Sequence, residues 1–256
     1  MEKLHILKIG GKLLSKPYLL DAVLSAFIKK EGVKILVHGG GNKASELLQQ
    51  LDIQPRMTAG RRITDAPTLE VVTMVYAGLI NKQLVSQLQA LGCNAIGLSG
   101  ADGNAIQAHK RPPFPFDYGF AGDIDIVNSK MIISLLNSEL CPVFCAITHD
   151  KEGQLLNTNA DTIASTLAVA MAPFFEVELI FCLEKNGVLA DPENDATVIP
   201  ELSEANFQKL KAEGIIYDGM IPKLDNAFSA LHKGVSKVCI CGPDSLIEAG
   251  GTWLQN

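Results

Sequence analysis

The 256-residue sequence is poor in aromatic residues, which make up 6% of it and include a single tryptophan, Trp253. With 47% of residues apolar, the core must be mostly aliphatic, which suits buried parallel strands. Positive charge is not in surplus. Twenty-two lysines and arginines stand against 28 aspartates and glutamates, a formal net charge of −6, which argues against nucleic acid as the main partner. No apolar run approaches the roughly 20 residues needed to cross a bilayer, and Met1 to His5 lead straight into a strand pattern without a signal-like leader. The six cysteines, at 93, 141, 145, 182, 239 and 241, form no C-x-x-C pair, and most sit inside apolar runs. They are expected to be reduced core thiols, with no dedicated metal site. These absences predict a cytoplasmic protein with no nucleic-acid or membrane partner.

Several catalytic signatures are missing too. There is no G-x-x-x-x-G-K-[ST], no G-x-G-x-x-G after the first strand, no H-E-x-x-H and no G-x-S-x-G. Walker-type nucleotide binding, dinucleotide chemistry, zinc proteolysis and serine hydrolysis lose their usual supports. What the chain does have is glycine where strands end. Val37-His38-Gly39-Gly40-Gly41-Asn42 follows the apolar run Lys34 to Val37 and leads into a helical pattern through Ala44, Leu47, Leu48 and Leu51, with Asn42 placed to cap it. Such a turn is either a tight strand-to-helix connection or a cradle for an anion, because backbone N–H groups point outward at the positive end of the helix dipole.

The remaining pattern is strand, helix, strand. His5 to Ile9 reads as a strand ended by Gly10-Gly11, and Leu19 to Lys30 as a helix stopped by Gly32. Pro67 opens a long helix through Leu69, Val72, Tyr76, Leu79, Ile80, Leu84, Leu88 and Leu91. Residues 94–99 and 142–147 read as buried strands, and 111–123 as an excursion or edge hairpin. Asn128 caps a helix to Leu136, and a small-residue helix covers 160–171. Residues 177–183 form a strand, Ser203 caps a helix over 204–212, and a helix over 222–232 precedes a strand over 235–241. Alternation of this kind implies an α/β fold whose mainly parallel sheet is covered on both faces, with ligands at the carboxyl ends of the strands.

Three polar knots stand out against this background. Lys8 lies inside an apolar strand, two residues before paired glycines; it is either an edge lysine reaching solvent or one aimed into a polar cleft. Asn157-Thr158-Asn159-Ala160-Asp161 opens a helix, where Asn and Asp often serve only as caps. Asp218-Gly219-Met220-Ile221-Pro222-Lys223 puts a lysine at a helix start, where the dipole disfavours it unless it answers an anion. Two lysines, two glycine turns and an aspartate are the parts phosphoryl transfer needs.

K-x-G-G at Lys8, V-H-G-G-G at Val37, G-R-R-I-T-D at Gly60, N-x-N-A-D at Asn157 and D-G-M-I-x-K at Asp218 occur in the order and spacing of the amino acid kinase family. The chain resembles that family over nearly its whole length, and most nearly the branch that phosphorylates N-acetylglutamate. The resemblance implies a three-layer α/β/α sandwich with a mainly parallel central sheet. It implies an N-terminal lobe, 1–176, for acyl-glutamate binding and dimerisation, and a C-terminal lobe, 177–256, for ATP, sharing one continuous sheet. Lys8 and Lys223 would be catalytic, stabilising the phosphoryl group in flight, with Asp161 holding both. Gly10 and Gly11 would meet ATP phosphates through backbone N–H. Gly40, Gly41, Arg62, Asn157 and Asn159 would bind the acyl-amino acid, Arg62 as a clamp on its α-carboxylate. Glu184, Gly187, Asp218, Gly219 and Met220 would belong to the nucleotide pocket, and Mg²⁺ would be held mainly by the ATP phosphates.

The expected reaction is ATP-dependent phosphorylation of a γ-carboxylate. That group is already ionised at neutral pH, so no general base is required; His38 then reads as a packing or hydrogen-bonding residue, and Arg61 as a solvated neighbour. Leu183-Glu184-Lys185-Asn186-Gly187 departs from the family's shorter acidic form. N-Succinylglutamate is an alternative acceptor, and a silent amino-acid-binding sensor on the same fold is a further one.

Overall fold

The structure is a computed structural model that describes every residue except Lys12, Ala59, Pro192, Tyr217, Asp218, Gly219, Ala249 and Asn256. In chain order the strands are β1 Lys3–Ile9, β2 Val33–His38, β3 Met57–Thr58, β4 Arg61–Arg62, β5 Ala95–Leu98, β6 Ile106–Lys110, β7 Gly122–Val127, β8 Cys141–Phe144, β9 Ile147–His149, β10 Leu155–Asn157, β11 Glu176–Cys182, β12 Glu201–Ser203, β13 Lys237–Cys241 and β14 Thr252–Gln255. The helices are α1 Pro17–Ile28, α2 Gly41–Gln50, α3 Ala66–Thr73, α4 Asn81–Ala90, α5 Ser129–Asn137, α6 Ala160–Met171, α7 Glu204–Ala212, α8 Ile221–His232 and α9 Pro243–Ile247. Between α3 and α4 the helix does not stop; Met74–Ile80 forms a π-helical turn.

The chain folds as two compact units. One comprises residues 1–34 and 164–256, the other 35–163. In the first, strands run in the order β12-β14-β13-β11-β1. β1, β11 and β13 are parallel, in a register that sets Ile6 beside Leu179 and Leu179 beside Val238. These strands are buried along most of their length, as expected of parallel strands packed inside a sheet. α1 buries Leu20, Val23, Leu24 and Phe27, spaced as one helical stripe; each contributes about 1.5–3 kcal/mol by leaving water. α7 and α8 are joined by stacked Phe207 and Phe228 rings, 5.5 Å between centroids. β14 returns antiparallel to β13, a strand the sequence reading left unassigned.

In the second unit β2, β8 and β5 are parallel neighbours in that order. α4 and α5 pack against β8. A smaller sheet, ordered β10-β9-β6-β7, carries the β6–β7 hairpin around the expected excursion. One expectation is corrected here: residues 142–147 are not one strand. Cys145 and Ala146 interrupt the run, so β8 stays in the parallel sheet while β9 joins the smaller one. The chain switches sheets inside a continuous apolar stretch, with no glycine or proline after Pro142 to mark the break. No cysteine is in a disulfide, and five of the six are buried. Among the described residues no helix is long and apolar enough to cross a membrane.

Candidate functional site

In the unit of residues 35–163, β2 ends at His38 and α2 begins at Gly41, so the chain turns within two glycines. Gly40 is the helix N-cap and brings no side chain to it. The expectation that Asn42 caps this helix is corrected, since Asn42 lies inside the first turn. The opening N–H groups of α2 therefore receive no side-chain cap and present the positive end of the dipole. The two glycines are there for different reasons. A Cβ on Gly40 would lie 2.5 Å from Ile80 Cδ1 and 2.8 Å from Tyr76 Cδ1, so the helix behind the turn requires glycine. A Cβ on Gly41 would come no nearer than 3.8 Å, to Arg62 Nη2; on this side the turn is open.

Arg62 ends the β3–β4 hairpin, paired with Met57, and is 8% exposed. Its Nη2 donates to the Gly41 carbonyl and to Ser45 Oγ, both at 2.8 Å. Its Nη1 is buried and, among the described residues, makes no hydrogen bond. A buried guanidinium with an unspent nitrogen, beside an uncapped helix start, is suited to a carboxylate. Asn157 ends β10, and its amide donates to Thr64 Oγ1 at 2.9 Å, while that hydroxyl donates to the Arg62 carbonyl at 3.1 Å. Arg62 and Asn157 are thus tied through one threonine. Asn159 is partly committed: its Oδ1 accepts from the backbone of Asp161 at 2.8 Å and Thr162 at 3.1 Å, which caps α6. Only its NH₂ end remains for another partner. Asp161 is 7% exposed in the first turn of that helix, where the dipole favours a carboxylate.

His38 is fully buried, and its role is hydrogen bonding. Burial is the largest influence on its ring and pushes the pKa down to about 4. The neutral ring donates from Nδ1 to the Gly39 carbonyl at 2.8 Å and accepts at Nε2 from Asn81 at 3.1 Å. Arg61 is half-buried among Arg111, Asp123 and Tyr118; burial first, then the Arg111 charge, hold its guanidinium below the usual value. It is less solvated than the sequence suggested, and Arg111 is itself paired with Asp123.

In the unit of residues 1–34 and 164–256, Lys8 stands near the carboxyl end of β1 opposite Phe181 and is 7% exposed. Gly10 donates its N–H to the Cys182 carbonyl at 3.1 Å, one rung beyond the β1–β11 pairing. In this structure that N–H is engaged by the strand neighbour. Gly187 lies close against β14: a Cβ there would be 2.7 Å from Thr252 Oγ1, and that hydroxyl accepts from Val188 N at 2.8 Å. Gly187, Val188, Leu189, Ile215, Ile216 and Met220 line one apolar recess together with Lys185. Parts of the two expected nucleotide segments, Lys185 and Gly187 to Leu189 in one and Ile215, Ile216 and Met220 in the other, therefore lie together, although Glu184 is not among the lining residues. Lys223 follows in the first turn of α8, its backbone bonded to Met220. Asp218 and Gly219 lie outside the described residues.

Sequence reading missed Tyr76, Ser45, Thr64 and Asn81, which position Gly40, Arg62, Asn157 and His38. Tyr76 looked like core. Its one signal was the spacing of Val72, Tyr76, Ile80, Leu84 and Leu88, four residues each time, which an ideal α-helix would carry around its axis by roughly 40° per step.

Comparison with known proteins points the same way. The model of the amino acid kinase family matches residues 3–242. The acetylglutamate kinase of Bacteroides fragilis is 49% identical over 254 residues, spanning 99% of this chain and 97% of that one. That of Phocaeicola vulgatus is 51% identical over 254 residues, 99% of each chain. Carbamate kinase from Giardia lamblia, solved with AMP-PNP, superposes with a TM-score of 0.71 over 99% of this chain and 98% of that one at 14% identity, a likeness of fold. The chain belongs to the amino acid kinase family.

Proposed function

We propose that the protein transfers the γ-phosphoryl group of ATP to the γ-carboxylate of N-acetyl-L-glutamate. The carboxylate oxygen attacks the γ-phosphorus, the bond to the bridging oxygen breaks, and N-acetylglutamyl 5-phosphate and ADP leave. The observation that carries this reading is the buried Arg62 with its unspent Nη1, set beside the uncapped start of α2 at Gly41 and tied to Asn157 through Thr64. Such a site holds the acceptor's α-carboxylate and leaves its γ-carboxylate free to react. Relatives that share the name acetylglutamate kinase over nearly the whole chain support the choice of acceptor.

An ionised carboxylate needs no proton removed, which agrees with a buried neutral His38 engaged in hydrogen bonds. Catalysis then rests on positioning and on charge placed against the moving phosphoryl group. The roles of Lys8, Lys223 and Asp161 follow the family motifs. The apolar recess at Val188, Ile216 and Met220 is suited to an adenine ring. Mg²⁺ accompanies the nucleotide, held by its phosphates; among the described residues no cluster of His, Cys, Asp and Glu is arranged as a cage for it. Work as a homodimer, in the cytoplasm and in arginine biosynthesis, rests on the family resemblance.

The test is an acyl-phosphate trap. With ATP, Mg²⁺ and hydroxylamine, N-acetylglutamate should give a hydroxamate, and N-succinylglutamate run in parallel should give less at equal concentration. Nucleotide binding with no hydroxamate from either acceptor would leave a silent sensor.

A further inference from the structure

The two arms of the acceptor site, Arg62 and Asn157, stand on β4 and β10, far apart in the chain. A third segment, residues 118–121, is threaded between them. Thr64 donates its N–H to the Tyr118 carbonyl at 2.9 Å, and Phe120 donates its N–H to the Thr64 carbonyl at 2.7 Å. The Phe120 carbonyl in turn accepts from the Asn157 N–H at 2.9 Å. Gly119 makes this close approach possible: its φ is +66°, and a Cβ there would lie 2.2 Å from the Thr64 carbonyl oxygen. The backbone alone therefore fixes Thr64 and Asn157 relative to each other.

The side chains add a link of another kind. Thr64 is fully buried. Its hydroxyl donates to the Arg62 carbonyl at 3.1 Å and accepts from the Asn157 amide at 2.9 Å. A hydroxyl has one hydrogen to give. With that hydrogen spent on Arg62, the oxygen can only accept from Asn157, so it selects the NH₂ end of the amide. One amide hydrogen is used in this way, which leaves the second hydrogen and the amide oxygen for other partners. On the other arm Arg62 Nη2 is engaged by Gly41 and Ser45, while Nη1 makes no hydrogen bond among the described residues. One buried hydroxyl thus bears on both arms, on the backbone of the guanidinium residue and on the amide of the other.

We propose that Thr64 is a positioning residue of the acceptor site, whose hydroxyl sets the orientation of the Asn157 amide against Arg62 so that both arms meet the acyl-glutamate already in place. This rests on the reading of Arg62 and Asn157 as the residues that hold the acceptor. Thr64 touches no reacting atom; it acts through its two neighbours. Preorganisation of this kind lowers the ordering cost of binding, so its loss falls on the acceptor and not on ATP. The backbone bonds to Tyr118 and Phe120 do not depend on the hydroxyl and keep the segment folded without it.

The test compares Thr64→Val, which keeps the shape and removes the hydroxyl, with Thr64→Ser, which keeps the hydroxyl. Binding of N-acetylglutamate is measured by calorimetry without nucleotide, and steady-state kinetics are run for both substrates. Thr64→Val should raise the Kd and KM for N-acetylglutamate about tenfold, with KM for ATP and kcat within about twofold of wild type. Thr64→Ser should recover the acceptor affinity to within about threefold. In an Asn157→Ala background, Thr64→Val should lower kcat/KM for the acceptor by less than about twofold further, because no amide remains to be oriented. If Thr64→Val fails to fold, the smaller Thr64→Ala replaces it in both comparisons. Unchanged acceptor affinity without the hydroxyl, an equal loss in Thr64→Ser, an equal change for ATP, or the full tenfold loss repeated in the Asn157→Ala background overturns the positioning role. Those results leave wild-type binding of N-acetylglutamate intact; a wild type that binds none of it strikes down the acceptor reading and the role of Thr64 with it, so the two failures are told apart.

Discussion

Asn81 donates its amide hydrogen to Nε2 of His38 at 3.1 Å, and the far nitrogen of that ring donates to the Gly39 carbonyl at 2.8 Å. One side chain on a helix thereby sets the tautomer of a buried histidine and, through it, the first carbonyl of the glycine turn. This chain of bonds works only with a neutral ring, since an imidazolium would turn Nε2 into a second donor facing the Asn81 amide.

The pH dependence follows. The folded pKa of His38 is lowered from 6.5 to about 4, mainly by burial. The unfolded chain therefore takes up a proton between these values while the native state does not, so stability from this group is complete above 6.5 and is lost as pH falls towards 4. The loss should reach on the order of 3 kcal/mol. Urea unfolding of wild type and His38→Gln at intervals from pH 7 to 4 checks this. The variant should start less stable and show the shallower slope; identical slopes would mean that His38 titrates normally.

Glu178 gives a pH window of its own. Burial pushes its carboxyl up, but the nearby His5, with Nδ1 3.3 Å away, and Lys30, which donates to it from Nζ at 2.8 Å and adds its charge, outweigh that and hold it at about 2. A depressed carboxylate stabilises above its unfolded pKa near 4.5 and loses that contribution as pH falls through 2. Glu178→Gln should cost about 2 kcal/mol at pH 7, and the two proteins should converge in stability towards pH 2. A gap that does not narrow would show that packing, not charge, is lost.

Much of this was legible in the sequence because apolar periodicity and glycine punctuation agree with the final packing. Asn128 and Ser203 cap the helices expected of them, and the motif residues Arg62, Asn157 and Asn159 fall in the same unit as the glycine turn. What failed was decided by tertiary contact. The helix after the turn starts at Gly41, not beyond Asn42, because Gly40 must sit directly against Tyr76 and Ile80. The apolar run through Cys145 hides a change of sheet that only the neighbours β5 and β10 reveal. Leu79 and Leu91 belong to the apolar pattern of the long helix, yet they are 44% and 37% exposed. The π turn leaves no residue type as its mark, only a run of four-residue steps.

Gly40 and Gly41 should separate when each is replaced by alanine. At Gly40 the new Cβ collides with Ile80 and Tyr76, an overpacking that costs about 1–3 kcal/mol. At Gly41 the nearest atom is 3.8 Å away, and alanine inside a helix is favoured over glycine by about 0.5–1 kcal/mol. Gly41→Ala should therefore melt at or above the wild-type temperature. If the open side of the turn receives the acceptor, the same variant should still lose N-acetylglutamate affinity by tenfold or more, while KM for ATP stays put. A stable Gly41→Ala enzyme with normal acceptor affinity would place the acceptor elsewhere.

The apolar recess offers the matching test for the nucleotide. Met220 is 3% exposed and shares the recess with Val188 and Ile216. Met220→Ala removes apolar wall from any adenine seated there, and losing roughly 1 kcal/mol of contact corresponds to about fivefold in affinity. KM for ATP should rise by about that factor, and affinity for N-acetylglutamate should not change. Because the truncation also leaves a cavity that lowers stability by about 2–5 kcal/mol, assays belong well below the variant's Tm. Trinucleotide competition supplies the control: GTP, whose base carries a different polar edge over the same apolar face, should be weakened in proportion if Met220 contributes packing alone. A rise in KM confined to the acceptor would move the recess out of the nucleotide site.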